Sequence, residues 1–289
     1  MSAFEKNITI FAWVCTLVFL LLSGTLLYLL LRNGLHAFYV LISDHENYGS
    51  VPVLFHRIHL LQRLVPAILG TVAVIMLTLI LASPLGIAIG VWSSLFATPS
   101  LKKLINFVVQ LLSSTPSIVL GFAGYFAILF VRQEFALEAK PCLLLAGLCL
   151  SLLVLPVLIR TTENSLNQVS EELKLTGLSL GLSPMQNALF VLLPKARRGV
   201  GRGIFLATVR AAEDTAVIML TGAVADAILP NGLIDPFCSL SIQILYGITE
   251  NRGMHDQLVV FATSLVLVTL TFLLSLIGER FVGGRSYAQ

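Results

Sequence analysis

The amino-acid sequence predicts an all-α polytopic membrane protein with six transmembrane helices. Hydrophobic residues make up 57% of its 289 positions and charged residues only 11%, and the mean hydropathy is +0.93. A soluble domain carries about 25% charged residues, so this composition is typical of a chain surrounded by membrane lipid. Uncharged runs long enough to cross a bilayer, which takes about 20 residues, alternate with polar segments. No basic patch interleaved with aromatic residues occurs, which argues against nucleic-acid binding.

The first predicted transmembrane helix covers residues 8–31, inside an uncharged run that extends from residue 7 to residue 31. The run lacks a small-residue cleavage site, so we expect it to remain in place as a signal anchor. Polar residues follow it and predict an extracytoplasmic segment. Residues 1–64 are therefore expected to form an N-terminal unit of one helix and this segment.

The second predicted transmembrane helix lies within residues 64–101, which contain no charge. This run is too long for one crossing, so we expect a helix over residues 66–94 with a bend at Pro84. Gly86 and Gly90 are four residues apart, a spacing that allows two membrane helices to approach closely.

The other predicted transmembrane helices cover residues 104–131, 141–159, 204–228 and 257–278. A polar loop at residues 161–203 separates the fourth helix from the fifth. Lys and Arg are more frequent in the loops on the N-terminal side of the membrane than on the opposite side. The positive-inside rule therefore predicts that both termini are cytoplasmic, with residues 283–289 as a short cytoplasmic tail.

The loop at residues 161–203 has the patterns of two short amphipathic helices. In the first, apolar residues recur at helical spacing at Leu166, Val169, Leu173 and Leu180. Gly181 lies where a helix C-terminus favours a left-handed residue, Ser183 can cap the next helix, and Pro184 suits its first position. The second helix has an apolar stripe at Met185, Ala188, Leu189, Leu192 and Leu193. The two helices either lie on the membrane and the chain's own helix ends, or dock on a partner protein.

The loop also resembles a segment known from ABC importer permeases. Gly181 is followed, after nine residues, by Val191-Leu192-Leu193-Pro194, which is similar to the end of the "EAA" loop of that family. Over residues 65–282 further segments resemble the A-type permease subunit of phosphate importers. They are Gly70-Thr71, Pro84-Leu85-Gly86, Pro116 to Gly121, Arg210-Ala211, Thr215-Ala216 and Ile244-Leu245-Tyr246.

The resemblance implies a type I ABC importer permease fold over residues 65–282, with residues 161–203 as the loop that carries the coupling helix. The implied partners are a second homologous permease subunit, two ABC ATPase subunits and an extracytoplasmic phosphate-binding protein. No P-loop occurs in this sequence, so the chain is not expected to be an enzyme or to hold a cofactor, and ATP and Mg belong to the ATPases. The implied location is the bacterial cytoplasmic (inner) membrane.

Within the implied coupling loop, the sequence departs from the family where its Glu-Ala-Ala would stand. Leu175-Thr176-Gly177 replaces that triplet, and the acidic residues lie earlier, at Glu171 and Glu172. The residues expected to couple the chain to the ATPases are Glu171, Glu172, Leu175, Gly177, Gly181, Ser183, Leu193 and Pro194.

The fifth predicted helix carries charged residues inside the membrane. If it enters the bilayer near Gly203, Arg210 lies about 10 Å along it, and a charge at such depth normally has a functional role and a partner. Arginine suits phosphate because its planar guanidinium forms paired, charge-assisted hydrogen bonds. Glu213 and Asp214, three and four residues later, can pair with Arg210 on one helix face. We expect Arg210 to meet the anion in transit and Asp214 to neutralise it when the path is empty. The alternative is a purely structural ion pair.

A second departure from the family lies beside this arginine. The Gly-Glu-Thr of the family is replaced by Glu213-Asp214-Thr215, which keeps a carboxylate and the threonine but adds a second acid. Both departures bear on coupling and on the choice of substrate.

A run of hydroxyl side chains surrounds Pro116 in the third predicted helix. Ser113, Ser114, Thr115 and Ser117 either offer hydrogen bonds to phosphate oxygens where the helix is broken at Pro116, or satisfy the backbone groups freed by the proline.

Three other functions compete with a phosphate permease. They are a permease for another oxyanion, an ion-coupled secondary transporter, and a non-transporting sensor or scaffold derived from a permease. A secondary transporter would be expected to have matched internal repeats with discontinuous helices, which the sequence does not clearly contain.

Overall fold

A computed structural model describes residues 3–43, 53–135, 140–224, 226, 228–249 and 254–282 of the chain. Within these ranges the regular structure is helical, apart from one isolated bridge between Ala223 and Phe237. The helices are α1 (Ala3–Ser43), α2 (Val53–Leu95), α3 (Pro99–Ser114), α4 (Ser117–Phe135), α5 (Leu143–Asn167), α6 (Glu171–Ser179), α7 (Pro184–Asn187), a π-helical turn (Ala188–Leu192), α8 (Leu193–Glu213), α9 (Ala216–Thr221), α10 (Leu240–Thr249) and α11 (Met254–Val282).

Five stretches of these helices are long and apolar enough to cross a membrane. They are Asn7–Val40, Arg63–Leu95, Ser117–Glu134, Leu143–Asn167 and Gln257–Leu276. Leu240–Thr249 is a shorter apolar helix. The all-α polytopic class is therefore confirmed, although two of the predicted crossings have a different form from the one expected.

The predicted third crossing, residues 104–131, is broken at Pro116 as expected, but its first part is not long enough to cross a membrane. It is divided into α3 and α4, and Thr115 between them has an extended backbone with φ −72° and ψ 124°. Pro116 explains the division, because proline disfavours the helical region for the preceding residue and cannot donate a backbone hydrogen bond. Of these two helices, only α4 is long and apolar enough to cross a membrane.

The predicted fifth crossing, residues 204–228, is also wrong as a continuous helix. Helix α8 ends at Glu213, Asp214 is extended, and α9 spans only Ala216–Thr221. The Asp214 carboxylate accepts a hydrogen bond from the Val217 N–H at 2.8 Å, an arrangement typical of the residue that starts a new helix. Asp214 has an extended backbone and therefore ends α8. Its carboxylate accepts the free N–H of Val217 at the start of α9, so a new helix begins there.

The first two helices are longer than predicted. Helix α1 continues to Ser43, past the expected end at residue 31, and α2 already begins at Val53. Part of the segment predicted to be an extracytoplasmic connection is therefore helical. Helix α2 continues through Pro66 and Pro84, which membrane helices tolerate when other groups satisfy the freed carbonyls.

The chain divides into two compact units. One consists of residues 1–61 and 244–268, and the other of residues 62–243 and 269–289. In the first unit α1 approaches α11 closely, because a Cβ on Gly34 would lie 2.9 Å from the Cβ of Leu265. The side chains of the apolar window in α1 are nevertheless not buried within the chain.

Close helix contacts in the second unit occur at glycines, which let a neighbouring helix approach. A Cβ on Gly86 would lie 2.5 Å from the Cβ of Leu158, and a Cβ on Gly90 would lie 2.7 Å from that of Thr162. The close approach predicted from this glycine pair is therefore confirmed, and its partner is α5. Helix α8 also approaches α5 closely, because a Cβ on Gly203 would lie 2.9 Å from the Cβ of Thr161.

Candidate coupling loop and substrate path

Helix α6 of the loop ends in a Schellman turn. Gly181 has φ +84°, its N–H donates to the Leu178 carbonyl at 3.0 Å, and the Leu182 N–H donates to the Gly177 carbonyl at 3.3 Å. These two bonds satisfy carbonyl groups that the helix end would leave free. The predicted left-handed glycine is confirmed, and it reverses the chain between α6 and α7.

Helix α7 begins with a capping box. The Ser183 hydroxyl accepts the Gln186 N–H at 3.2 Å, and the Gln186 side chain accepts the Ser183 N–H at 2.9 Å. Pro184 occupies the first helical position, where its missing N–H costs nothing. The predicted role of Ser183 is therefore confirmed, and the turn is fixed from both sides.

Gly177 lies in close contact with α7. A Cβ at this position would overlap the Oδ1 atom of the Asn187 side chain. The Nδ2 atom of the same side chain donates a hydrogen bond to the Lys174 carbonyl at 2.8 Å. The glycine that replaces an alanine of the family therefore makes room for a buried asparagine. The burial of Asn187 against Gly177 was not predicted from the sequence. Its sequence signal is a polar residue that lies directly beside the apolar stripe of the second loop helix.

One face of the loop packs on the rest of its own unit. Ala188, Leu192 and Ala196 join a buried cluster with Val91 of α2 and with Leu166 and Val169. Leu173 and Leu193 are half-buried against the same cluster. This packing confirms part of the first alternative, in which the loop lies on the chain's own helix ends.

The opposite face of the loop exposes apolar side chains. Phe190 is 72% exposed, and Leu180 is 78% exposed. Leu175, Leu178, Met185 and Leu189 are also exposed. The predicted stripe is therefore not a single face, because Met185 and Leu189 are exposed whereas Ala188 and Leu192 are buried. The π-helical turn at Ala188–Leu192 interrupts the α-helical spacing on which that prediction relied.

The acidic residues of the loop are exposed. Glu171 accepts a hydrogen bond from the Lys174 Nζ atom at 2.8 Å, and Glu172 lies beside it in the first turn of α6. Carboxylates in a first turn interact favourably with the helix dipole. Their position at the start of α6 therefore gives them a local stabilising role.

Pro194 lies inside a helical run rather than in a loop before the fifth crossing. The chain remains helical from α7 through the π-helical turn into α8, where the exposed Pro194 occupies one of the first positions. Proline provides no N–H at that position, so the helical run lacks one backbone hydrogen bond there. The predicted separation of loop and fifth helix near residue 203 is therefore wrong.

Arg210 and Glu213 are exposed in the last turn of α8, whereas Asp214 is buried and Thr215 half-buried. The predicted pairing of Arg210 with Glu213 or Asp214 is not formed. In the described part of the chain, the ion pairs are Arg160–Glu163 and Lys174–Glu171. The end of α8 explains the difference, because Asp214 turns away to cap α9.

The hydroxyl groups before Pro116 are bonded within their own helix. Ser113 donates to the Val109 carbonyl at 2.8 Å, Ser114 to the Gln110 carbonyl at 2.7 Å, and Thr115 to the Leu111 carbonyl at 2.8 Å. Such bonds to the carbonyl four residues earlier favour the backbone-satisfying alternative. Their oxygen atoms still retain acceptor capacity.

Helix α4, which follows the break at Pro116, packs against α9, which follows the break at Asp214. A Cβ on Gly121 of α4 would lie 3.1 Å from the Ala216 carbonyl oxygen and 3.2 Å from the Val217 Cα. Ser117 lies one helical turn before Gly121, and Thr215 directly precedes α9. The structure therefore brings Ser117 and Thr215 to the same region, next to the break that Asp214 caps.

A polar network that was not predicted joins the ends of α2 and α5 to the middle of α3. The buried Glu163 carboxylate accepts a hydrogen bond from Ser93 and lies 3.5 Å from the Arg160 guanidinium. Arg160 also donates to the Asn106 side chain at 2.8 Å. The buried acid within Arg160-Thr161-Thr162-Glu163 was the available sequence signal, but its partners are distant in the chain.

The fold is thus a bundle of helices long and apolar enough to cross a membrane, with a polar loop between α5 and α8 that is buried on one side and exposed on the other. The chain belongs to the family described as the inner membrane component of binding-protein-dependent transport systems, whose model matches residues 82–285. This match confirms the resemblance to ABC importer permeases.

Curated relatives carry phosphate transport names. The chain is 29% identical over 212 residues to the phosphate transport system permease protein PstA of Xylella fastidiosa (strain 9a5c), covering 73% of this chain and 71% of that protein. It is 32% identical over 210 residues to the PstA homolog of Mycoplasma genitalium, covering 72% of this chain but only 32% of that longer protein.

Solved structures show the same fold. The chain matches one from the inward-facing methionine ABC transporter MetNI with a TM-score of 0.60 and 22% identity, covering 78% of this chain and 96% of that chain. At this identity the match establishes the type I permease fold alone, in agreement with the fold that the sequence resemblance implies.

Proposed function

We propose that this protein is a permease subunit of an ATP-driven importer that moves inorganic phosphate across the bacterial cytoplasmic membrane. The observation that supports it most directly is the loop between α5 and α8. Its inner face packs on the bundle, while Leu180 and Phe190 are exposed and available to a partner. The names of the curated relatives support phosphate as the substrate.

The assembly we propose contains a second homologous permease subunit, two ABC ATPase subunits and an extracytoplasmic phosphate-binding protein. ATP and Mg are bound by the ATPases, and no catalytic residue is assigned to this chain. Both termini lie in the cytoplasm in this arrangement, as the distribution of Lys and Arg predicts. The exposed loop then faces the ATPases, and Glu171, Glu172 and Leu175 belong to the docking surface.

Arg210 is the residue that we assign to the anion. Its guanidinium makes no ion pair within the described part of the chain, so its charge is available to a ligand or to a partner subunit. A charged side chain in a membrane subunit is expected to face a polar cavity. In the assembled permease, the exposed surface around Arg210 would line the passage between the two homologous subunits.

Transport then follows an alternating-access cycle. Closure of the ATPases displaces the coupling loop, and the loop moves the helices around Arg210 between inward- and outward-open arrangements. The capped break at Asp214 and the neighbouring start of α4 with Ser117 provide non-helical backbone beside the passage. Such backbone is tolerated at membrane depth where it is covered by protein or lines a cavity.

The test is ATP-dependent uptake of labelled phosphate by proteoliposomes that hold the complete transporter. Arg210→Lys and Arg210→Gln are each expected to lose uptake while the complex still assembles, because neither forms the paired hydrogen bonds of arginine. Normal uptake by either variant would contradict the role of Arg210. Assembly and ATP turnover by the unmodified complex without phosphate flux would favour another oxyanion or a sensor function.

A further inference from the structure

The network around Glu163 differs from an ordinary surface ion pair in its burial. Glu163 is 5% exposed, and its carboxylate interacts with Ser93 of α2 and with Arg160. Burying a carboxylate is costly unless it is hydrogen-bonded and paired, so this residue is held in a specific arrangement. Close by, Ser94 donates to the Asn167 side chain at 2.9 Å and forms a second link between α2 and α5.

The bonds of this network differ in the helices that they connect. Ser93–Glu163 connects α2 to α5, and Arg160–Asn106 connects α5 to α3. The Arg160–Glu163 pair lies within α5, at a separation of three residues. The links between helices are therefore hydrogen bonds, of which the Ser93–Glu163 bond is the buried one.

The network lies directly before the coupling loop. Glu163 is in the last two turns of α5, and α6 begins at Glu171. Val91 of α2 and Leu166 of α5 pack with Ala188 and Leu192 of the loop. The polar network and this apolar cluster thus hold the ends of α2 and α5 and the inner face of the loop together.

We propose that Glu163 is a positioning residue for energy coupling, which makes the ends of α2 and α5, and through Arg160 the middle of α3, move as one body with the coupling loop. The proposal rests on the importer function above. Displacement of the loop by the ATPases would then be passed to α2 and α3 as well as to α5. Without the Ser93–Glu163 link, the loop would move while α2 lags behind, and ATP would be hydrolysed with less transport.

The first experiment compares Glu163→Ala with Glu163→Gln in the complete transporter. Assembly, ATP hydrolysis and phosphate uptake are measured together, so that uptake per ATP is known. Glu163→Ala is expected to assemble and hydrolyse ATP but to lower uptake per ATP about tenfold, since the bond between the helices is lost. Glu163→Gln retains an oxygen acceptor for Ser93 and is expected to restore most of that ratio.

The matched control is Glu134→Ala, which removes an exposed carboxylate near the end of α4 and should leave uptake per ATP unchanged. A residue that only stabilised the fold would lower assembly, ATP hydrolysis and uptake in proportion, with no change in their ratio. An unchanged ratio in Glu163→Ala would therefore overturn the proposal. Absence of uptake in the unmodified transporter would instead contradict the importer function itself.

A second experiment does not depend on the stability of Glu163→Ala. In the double variant Ser94→Cys/Asn167→Cys, an added oxidant joins the two thiols in a disulfide, and each single variant serves as its control. If the ends of α2 and α5 move as one body, uptake per ATP is unchanged by joining them. Loss of uptake on joining, with recovery after the double variant is reduced, would show relative movement and overturn the proposal.

Discussion

At the residue scale, local rules of helix ends predict much of the coupling loop. The turn at Gly181 and the cap at Ser183 depend on neighbours within five residues, and both form as the sequence indicates. Glu163 could not be placed in the same way, because Ser93 lies 70 residues away in the sequence. Contacts of that separation depend on how helices pack, which a single sequence does not specify.

Gly177 gives a prediction of this scale. Gly177→Ala places a methyl group against Asn187, which must move and lose its bond to the Lys174 carbonyl. We expect the loop to lose about 1 kcal/mol of stability, the typical contribution of one hydrogen bond. The measurement is co-purification of the ATPase with the variant, together with thermal unfolding of the complex.

Two further variants make the Gly177 prediction specific. Gly201→Ala is the control, because a Cβ at Gly201 meets nothing within 4 Å and alanine is favourable inside α8. Asn187→Ala in the Gly177→Ala background removes the overlapping side chain and should reduce the added effect of the methyl group. An equal loss for Gly177→Ala and Gly201→Ala would contradict the contact.

At the scale of whole elements, the sequence predicts where apolar helices occur better than where they end. Helices α2 and α5 continue through their internal prolines, whereas the chain leaves the helix at Thr115 before Pro116. Mean hydropathy does not distinguish these cases, because the polar run around Pro116 is short and lies between apolar segments. The same limitation explains why the interruption at Asp214 was predicted as a continuous crossing.

The break at Asp214 can be tested as a helix cap. Asp214→Ala removes the acceptor for the Val217 N–H and should lower the stability of the complex by about 1 kcal/mol. Asp214→Asn keeps an oxygen acceptor and should stay close to the unmodified protein in thermal unfolding. Glu213→Ala is the control, because that side chain is exposed. Equal stability of all three variants would contradict the capping role.

At the scale of the whole molecule, the distribution of exposed apolar residues indicates an assembly rather than an isolated chain. The window in α5 is the most buried of the five candidate crossings, whereas the α1 window is not buried within the chain. Lipid can cover an apolar helix that crosses the membrane. It does not account as readily for the exposed side chains of a loop that also contains Glu171 and Glu172, so a protein partner is the better explanation for that surface.

Substitutions at Phe190 and Leu192 distinguish the docking of the loop on a partner from the folding of the loop itself. Phe190 is 72% exposed, whereas Leu192 is 3% exposed in the cluster with Leu166 and Val169. Phe190→Ala should weaken binding of the ATPase by about 1–2 kcal/mol without lowering the stability of the permease measured alone. Leu192→Ala should lower that stability by about 2–5 kcal/mol, because it leaves a cavity.

Binding is measured with the purified ATPase and the permease in detergent. If Phe190→Ala binds the ATPase normally, the exposed face is covered by something else, and the contact that transmits ATP closure must be sought elsewhere in the chain.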